Sequence, residues 1–198
     1  MISLVPPDAL CPLVREHIAG AQDFMIRRAL VDAAIEFCRA SQLVQDVQGP
    51  VSVAAGETIL LVPAERPYRA YQLLRVFGQS PSGPDVEQLI KGVDYLQLSG
   101  NQVLVNRPVD GLTVLFAVEP RFNALQIPAI LTEDYSGALA CGAVARMASQ
   151  PGKAWSNPQL AEEMRPYFVD GYRAAFRWRT GNTAVNAFQN PVIKQEFF

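Results

Sequence analysis

The hydrophobic pattern of this chain changes period twice, and that change limits what it can fold into. Across residues 42–119 apolar side chains come in short, valine-, leucine- and tyrosine-rich runs. On either side they recur at helical spacing. VQGPVSV, GETILLV, YRAYQLLRVFG, VDYLQLS, NQVLVN and GLTVLFAVEP all read as strands, separated by Gly, Pro and Asn. The sharpest local signal is YLQLSGNQVLVN. Two alternating runs flank Ser99-Gly100-Asn101, which predicts a hairpin turn. QSPSGPDVEQLIKG is a proline- and glycine-rich break, with one turn of helix expected at DVEQLIK. Short strands and frequent turns point to a small antiparallel sandwich or barrel of about 75 residues.

The segment before it opens with Pro6, Pro7 and Pro12, an extended lead-in or loop. A long helix is then predicted over 20–41. Ile26, Leu30, Ala33, Ala34 and Phe37 form its apolar stripe; Arg28, Asp32, Glu36 and Arg39 form the opposing polar one. Residues 14–18 either join this helix or make a separate short one, because Gly20 interrupts the pattern.

The segment after it, 127–180, reads as two helices joined by PGKAW. In the first, Ser136, Gly137, Ala138, Ala140, Gly142, Ala143, Ala145 and Ala148 leave little side-chain volume, so another backbone can approach closely. The close neighbour is expected to be its own partner helix or a second subunit. The second helix is well marked at its start. Asn157 stands at the N-cap and Pro158 at the first helical position, where a missing N–H costs nothing. Leu160, Met164, Tyr167, Phe168, Gly171, Ala175 and Trp178 follow at helical spacing, and Pro166 is expected to kink or split the helix. Glu162 and Glu163 near the start and Arg177 and Arg179 near the end suit the helix dipole.

The expected fold class is therefore α+β. It is a helical bundle, made of the N-terminal helix and a C-terminal helical pair, with a small antiparallel β domain inserted and an extended C-terminal arm. The segments are 1–41, 42–120, 121–180 and 181–198. The small-residue face at Gly137, Cys141 and Ala145 and the aromatic face at Tyr167, Phe168 and Tyr172 are candidates for helix packing or subunit contact. The last segment carries only Lys194 and Glu196 as charges. Its apolar side chains Val185, Phe188, Val192, Ile193, Phe197 and Phe198 suit an arm that adds to a partner.

Little points to chemistry. The lone histidine, His17, has no neighbouring ligand in sequence, and Cys11, Cys38 and Cys141 lack metal-site spacing. The odd, scattered cysteines fit reduced thiols packed as small hydrophobes. Phosphate-binding, dinucleotide-binding, hydrolase-elbow and zinc-protease motifs are absent from the sequence. Glu133-Asp134 reads as the acidic start of a helix. Arg173, Arg177 and Arg179 with Trp178 read first as a helix end or partner contact, second as a phosphate contact. A net charge of −2 argues against wrapping nucleic acid by charge alone. The lack of a long apolar run or a basic-plus-apolar leader argues against a membrane span or signal peptide. No catalytic residue, cofactor or metal is expected.

The order helix, β insertion, helical pair resembles the head-to-tail adaptor (connector) proteins of tailed bacteriophages. The stretches that carry the resemblance are ALVDAAIEFCRAS and GALACGAVARMASQPGKAWSNPQLAEEMRPYF, across residues 10–180. The resemblance implies a non-catalytic virion protein, made in the host cytoplasm and placed at the head–tail interface. It implies a homo-oligomeric ring of about twelve identical wedges, built from heterologous contacts. The ring would sit beneath the portal protein, let DNA pass through its lumen without specific binding, and carry a tail or gateway protein on its far side. The C-terminal arm would reach the portal. The alternatives are a tail-side ring protein, a nucleic-acid-binding module using Arg173, Arg177 and Arg179, and an enzyme of a type the motifs do not reveal.

Overall fold

The computed structural model describes residues 2–79 and 85–182. The N-terminal lead-in is more ordered than its prolines suggest. A short strand β1 (Leu4–Val5) is followed by a 3-10 turn at Pro7–Leu10 and a short helix α1 (Cys11–Arg15). Leu10, Val14 and Ile18 are buried, so this stretch caps the core.

Helix α2 (Asp23–Ser41) is the centre of the molecule. The predicted stripe Ile26, Leu30, Ala33, Ala34 and Phe37 is buried, but so are Ala29, Val31 and Cys38. An amphipathic surface helix buries one stripe. This one is covered on two sides because it lies between the sheet and the later helices. It ends where Gln42 adopts a left-handed conformation (φ 50°) and its N–H donates to the Cys38 carbonyl (2.8 Å).

Strands β2 (Gln45–Val53), β4 (Tyr68–Gln79), β5 (Val86–Gln88) and β8 (Val109–Pro120) form a four-stranded antiparallel sheet in the order β2-β8-β4-β5. Strands β3 (Thr58–Leu60), β6 (Tyr95–Ser99) and β7 (Gln102–Val105) form a three-stranded sheet in the order β3-β7-β6. The β6–β7 hairpin turns at Gly100-Asn101, where the spacing places it. The Asn101 side chain fastens that turn. Its Oδ1 accepts from Val62 N (3.1 Å) and Ala70 N (3.3 Å), and its Nδ2 donates to the Val62 carbonyl (2.8 Å). The expected helical turn at DVEQLIK is instead strand β5, whose Val86, Glu87 and Gln88 pair with the end of β4. A free sheet edge there offers a ladder of hydrogen bonds that one isolated helical turn cannot match.

After the sheets, β9 (Ile127–Pro128) returns to pair with β1, closing a two-stranded sheet. Helix α3 (Ala129–Glu133) and helix α4 (Ser136–Ala148) follow, separated at Asp134 and Tyr135. Glu133 and Asp134 therefore close α3 just before α4 begins. Helix α5 (Pro158–Asn182) runs 25 residues, and Pro166 does not divide it. Its N-cap is the one the sequence marks. Asn157 Oδ1 accepts from Leu160 N at 3.1 Å, and the Asn157 N–H ties the loop to α4 through the Ala148 carbonyl (2.9 Å). Asn157→Ala is expected to cost about 1 kcal/mol. Urea denaturation would show it as a lower midpoint at unchanged slope.

The expected helical bundle with a small inserted β domain is not what forms. The protein is α+β, with five α-helices and three antiparallel sheets among the described residues. The β part is no minor insertion. Strands β4 and β8 each run 12 residues, and the last five residues of β8 are buried on both faces. One side of β8 supports α2, and a single continuous core joins Phe37, Leu139 and Phe168 of the helices to Val76, Val103, Leu112 and Phe116 of the sheets. Period alone distinguishes strand from helix but not whether two blocks share a core, which is where the expectation fails.

Candidate interaction surfaces

The tightest packing in the helical layer is between α4 and α5. A Cβ on Gly142 would stand 2.5 Å from the Phe168 ring, and a Cβ on Gly171 would stand 2.3 Å from the Ala138 Cβ. Phe168 is fully buried and edge-on to Tyr172 (ring centroids 5.5 Å apart). Phe37 of α2 completes the cluster with Tyr135 (5.1 Å), Phe168 (6.0 Å) and Tyr172 (6.4 Å). These tilted and edge-to-face arrangements are the ones aromatic quadrupoles favour. Gly142 and Ala138 of α4 therefore admit its own partner helix.

The six packing candidates separate accordingly. Phe168 and Tyr172 are brought together in this cluster, and Ala145 is buried on α4. Cys141 is half-buried, and burial pushes its thiol pKa up. Gly137 is exposed, with open space where a Cβ would stand, and Tyr167 is exposed. Gly142 and Gly171 are the close-approach positions. Gly142 was visible in the small-residue run, whereas Gly171 sat unmarked in the apolar spacing of α5. The arm candidates Val185, Phe188, Val192, Ile193, Phe197 and Phe198 lie outside the described residues.

An open groove of about 760 Å³ runs between α2 and the end of β8. Arg28, Arg39, Arg69 and Arg146 line it with Asp32, Glu36 and Glu119. Glu119 is only 1% exposed. It accepts from Arg39 through Nε and Nη2 (the latter at 2.9 Å) and from Arg69 through Nε (2.9 Å) and Nη2 (2.8 Å). Its hydrogen bond holds the Arg39 pKa up. Glu36 receives both Arg146 (3.0 Å) and Arg165, tying α2 to α4 and α5. Arg28 pairs with Asp32 (3.1 Å), donates to the Phe122 carbonyl and stacks on the Phe122 ring. Every arginine in the groove thus already faces a carboxylate. Such a surface offers polar register to a partner and little net attraction for a phosphate.

Among the described residues metal ligands do not converge: no group of three His, Cys, Asp or Glu could hold a metal ion. His17 is exposed. Cys38 is fully buried beneath the sheet, and burial drives its thiol pKa up. A high-pKa thiol is a poor nucleophile. Arg173 only approaches Asp170 (4.0 Å), and Trp178, further along the helix, is 55% exposed.

Among the described residues apolar side chains stand exposed in several places, Val86, Ile90 and Val93 included, and three others carry aromatic or leucine side chains. At the start of α2, Phe24, Phe122 and Leu125 border a pocket of about 350 Å³ with Pro7 and Val31. On α5, Tyr167 and Trp178 are exposed on one face, while Phe176 lies on another under the Arg179 guanidinium. The third is the outer face of the three-stranded sheet. The first lies at the start of α2, and α5 meets α2 nearer its other end. The first turn of α2 carries Phe24, while Phe37, near its end, is the residue that Gly171 of α5 approaches. No protein-family model matches the chain, and no curated protein matches it. Among the described residues no helix is long and apolar enough to cross a membrane.

Proposed function

We propose that the chain is a non-catalytic structural virion protein, a head-to-tail adaptor that forms a ring beneath the portal and lets DNA pass to the tail. One observation carries the reading. A single subunit exposes aromatic side chains in two separate places, Phe24 and Phe122 by the start of its central helix and Tyr167 and Trp178 on one face of α5. A ring needs this arrangement, because each copy presents one face to the opposite face of the next. The stretches that resemble adaptors contribute the second support. They make up the tightly packed α4, the loop and the Asn157-capped α5. The polar groove adds charge pairs that can fix register without binding a sliding duplex. The arm beyond Thr180 is read as the portal contact.

The test is co-sedimentation with the portal ring of the same virus, using the full chain and a version ending at Thr180. The full chain is expected to join the ring and the shortened chain to stay in the supernatant. If both join, the arm is not the anchor. If neither does, the portal contact is abandoned for a tail-side ring.

A further inference from the structure

Helix α5 is covered on one side only. Met164, Phe168 and Ala175 are buried, and they fall on the side that α4 and α2 pack against. On the other side Glu163, Tyr167, Asp170, Ala174 and Arg177 are all exposed. Steps of four, three, four and three residues join them, which is the spacing of one stripe along a helix. The helix runs unbroken through the whole stripe. Met164 and Phe168, one on each side of Pro166, are both buried, so the inner and outer faces keep their sense across the proline.

The stripe is acidic at one end and basic at the other. Glu162 and Glu163 stand near its start, Arg173 and Arg177 near its end. Glu163 and Arg177 are fourteen residues apart, about 21 Å along the axis, so they cannot pair within one helix. Among the described residues neither has an ion-pair partner. The same stripe carries Tyr167, 62% exposed, and Trp178, 55% exposed, with the small Ala174 between them. Large aromatic side chains ringed by charge are what a contact surface carries.

This face complements a second copy of itself in one orientation. Laid parallel, two copies would set Glu163 against Glu163 and Arg177 against Arg177. Laid antiparallel about a two-fold axis at Asp170, Glu163 of each copy falls opposite Arg177 of the other, because the two positions lie seven residues on either side of the axis. Tyr167 then falls opposite Ala174 of the other copy, where a methyl group leaves room for a ring. The two Asp170 carboxylates meet at the axis, and each has Arg173 of its own chain 4.0 Å away.

We propose that two free copies of the chain pair antiparallel through the outward faces of α5, Glu163 of each meeting Arg177 of the other and Tyr167 of each lying over Ala174 of the other. The pairing belongs to the free chain and does not rest on the ring reading; a ring neighbour that used this face would displace it. One helix face buries less than the roughly 1,200 Å² of a stable interface, and exposed ion pairs add little, so a dissociation constant on the order of 10–100 µM is expected.

The experiment is sedimentation equilibrium of the full chain, with no other virion component, from about 5 to about 500 µM, a range that brackets that constant. The native chain is expected to fit a monomer–dimer equilibrium. Glu163→Arg and Arg177→Glu, each alone, are expected to weaken it at least about ten-fold, because symmetry sets like charges together twice in each variant. An equimolar mixture of the two variants is expected to return to within about three-fold of the native constant, since both charge pairs are restored in the mixed dimer. A variant that merely misfolds is not rescued by mixing. A chain that stays monomeric throughout, an association beyond the dimer, a constant that either change leaves unaltered, or a mixture no tighter than the single variants overturns the proposal. Co-sedimentation with the portal reads a different event, so the two readings fail separately.

Discussion

Phe168→Ala is expected to lower the stability of the chain by about 3–5 kcal/mol, the range for deleting a buried aromatic ring. Phe168 is fully buried, with Phe37 and Tyr172 around it and the backbone of α4 against it at Gly142. The cost of such a deletion depends on how far the surroundings collapse into the cavity. Here they can collapse little. At the Gly171–Ala138 crossing α4 and α5 are already as close as their side chains permit, so the helices cannot move together to fill the space. The upper part of the range is therefore expected. Phe176→Ala on the same helix, 41% exposed, should cost under about 1 kcal/mol. Urea denaturation of both variants at constant slope measures the contrast, and equal losses would contradict the packing described.

Removing both arginines from Glu119, as Arg39→Met with Arg69→Met, is expected to cost about 2–4 kcal/mol at neutral pH. Breaking a buried pair by deleting its partner typically costs about 3–5 kcal/mol, because the remaining charge is buried uncompensated. The figure is discounted here because the two arginine side chains are 54% and 50% exposed, so water screens part of the pair and can enter when they are lost. Urea denaturation at neutral pH measures the loss, and a loss under about 0.5 kcal/mol would show that the fold does not depend on the pairing of Glu119.

Much of the local structure was legible in the residues. Asn157 and Pro158 announce the start of α5, because a side-chain acceptor and a missing N–H answer the needs of a helix terminus directly. The β6–β7 hairpin is legible for the same reason: its turn residues carry the signal themselves. DVEQLIK was misread because a three-residue edge strand is decided by the partner beside it, and β4 lies several residues away in sequence. Pro166, expected to kink or split α5, does not split it: 25 residues packed on α4 and α2 hold the helix across the lost hydrogen bond. Least legible were the pairings across the chain. Nothing near Glu119 in sequence indicates that Arg39 and Arg69, 80 and 50 residues away, will meet it. The two glycines at the α4–α5 crossing show the middle case. Small size is visible in the sequence, but which neighbour it admits is not.

The continuous core has a consequence for how the chain comes apart. Phe37 is packed by α4 and α5, while α2 itself rests on β8. Melting either layer strips the central helix of half its burial, so neither layer keeps a stable remainder. Unfolding should be cooperative, with one transition shared by far-UV and tyrosine signals. The β block cannot be exchanged as a cassette either, since any replacement must reproduce the surface that α2 lies on. Substitutions should be tolerated best where the core does not reach: the hairpin tips, the loop before α5 and the exposed ends of the helices.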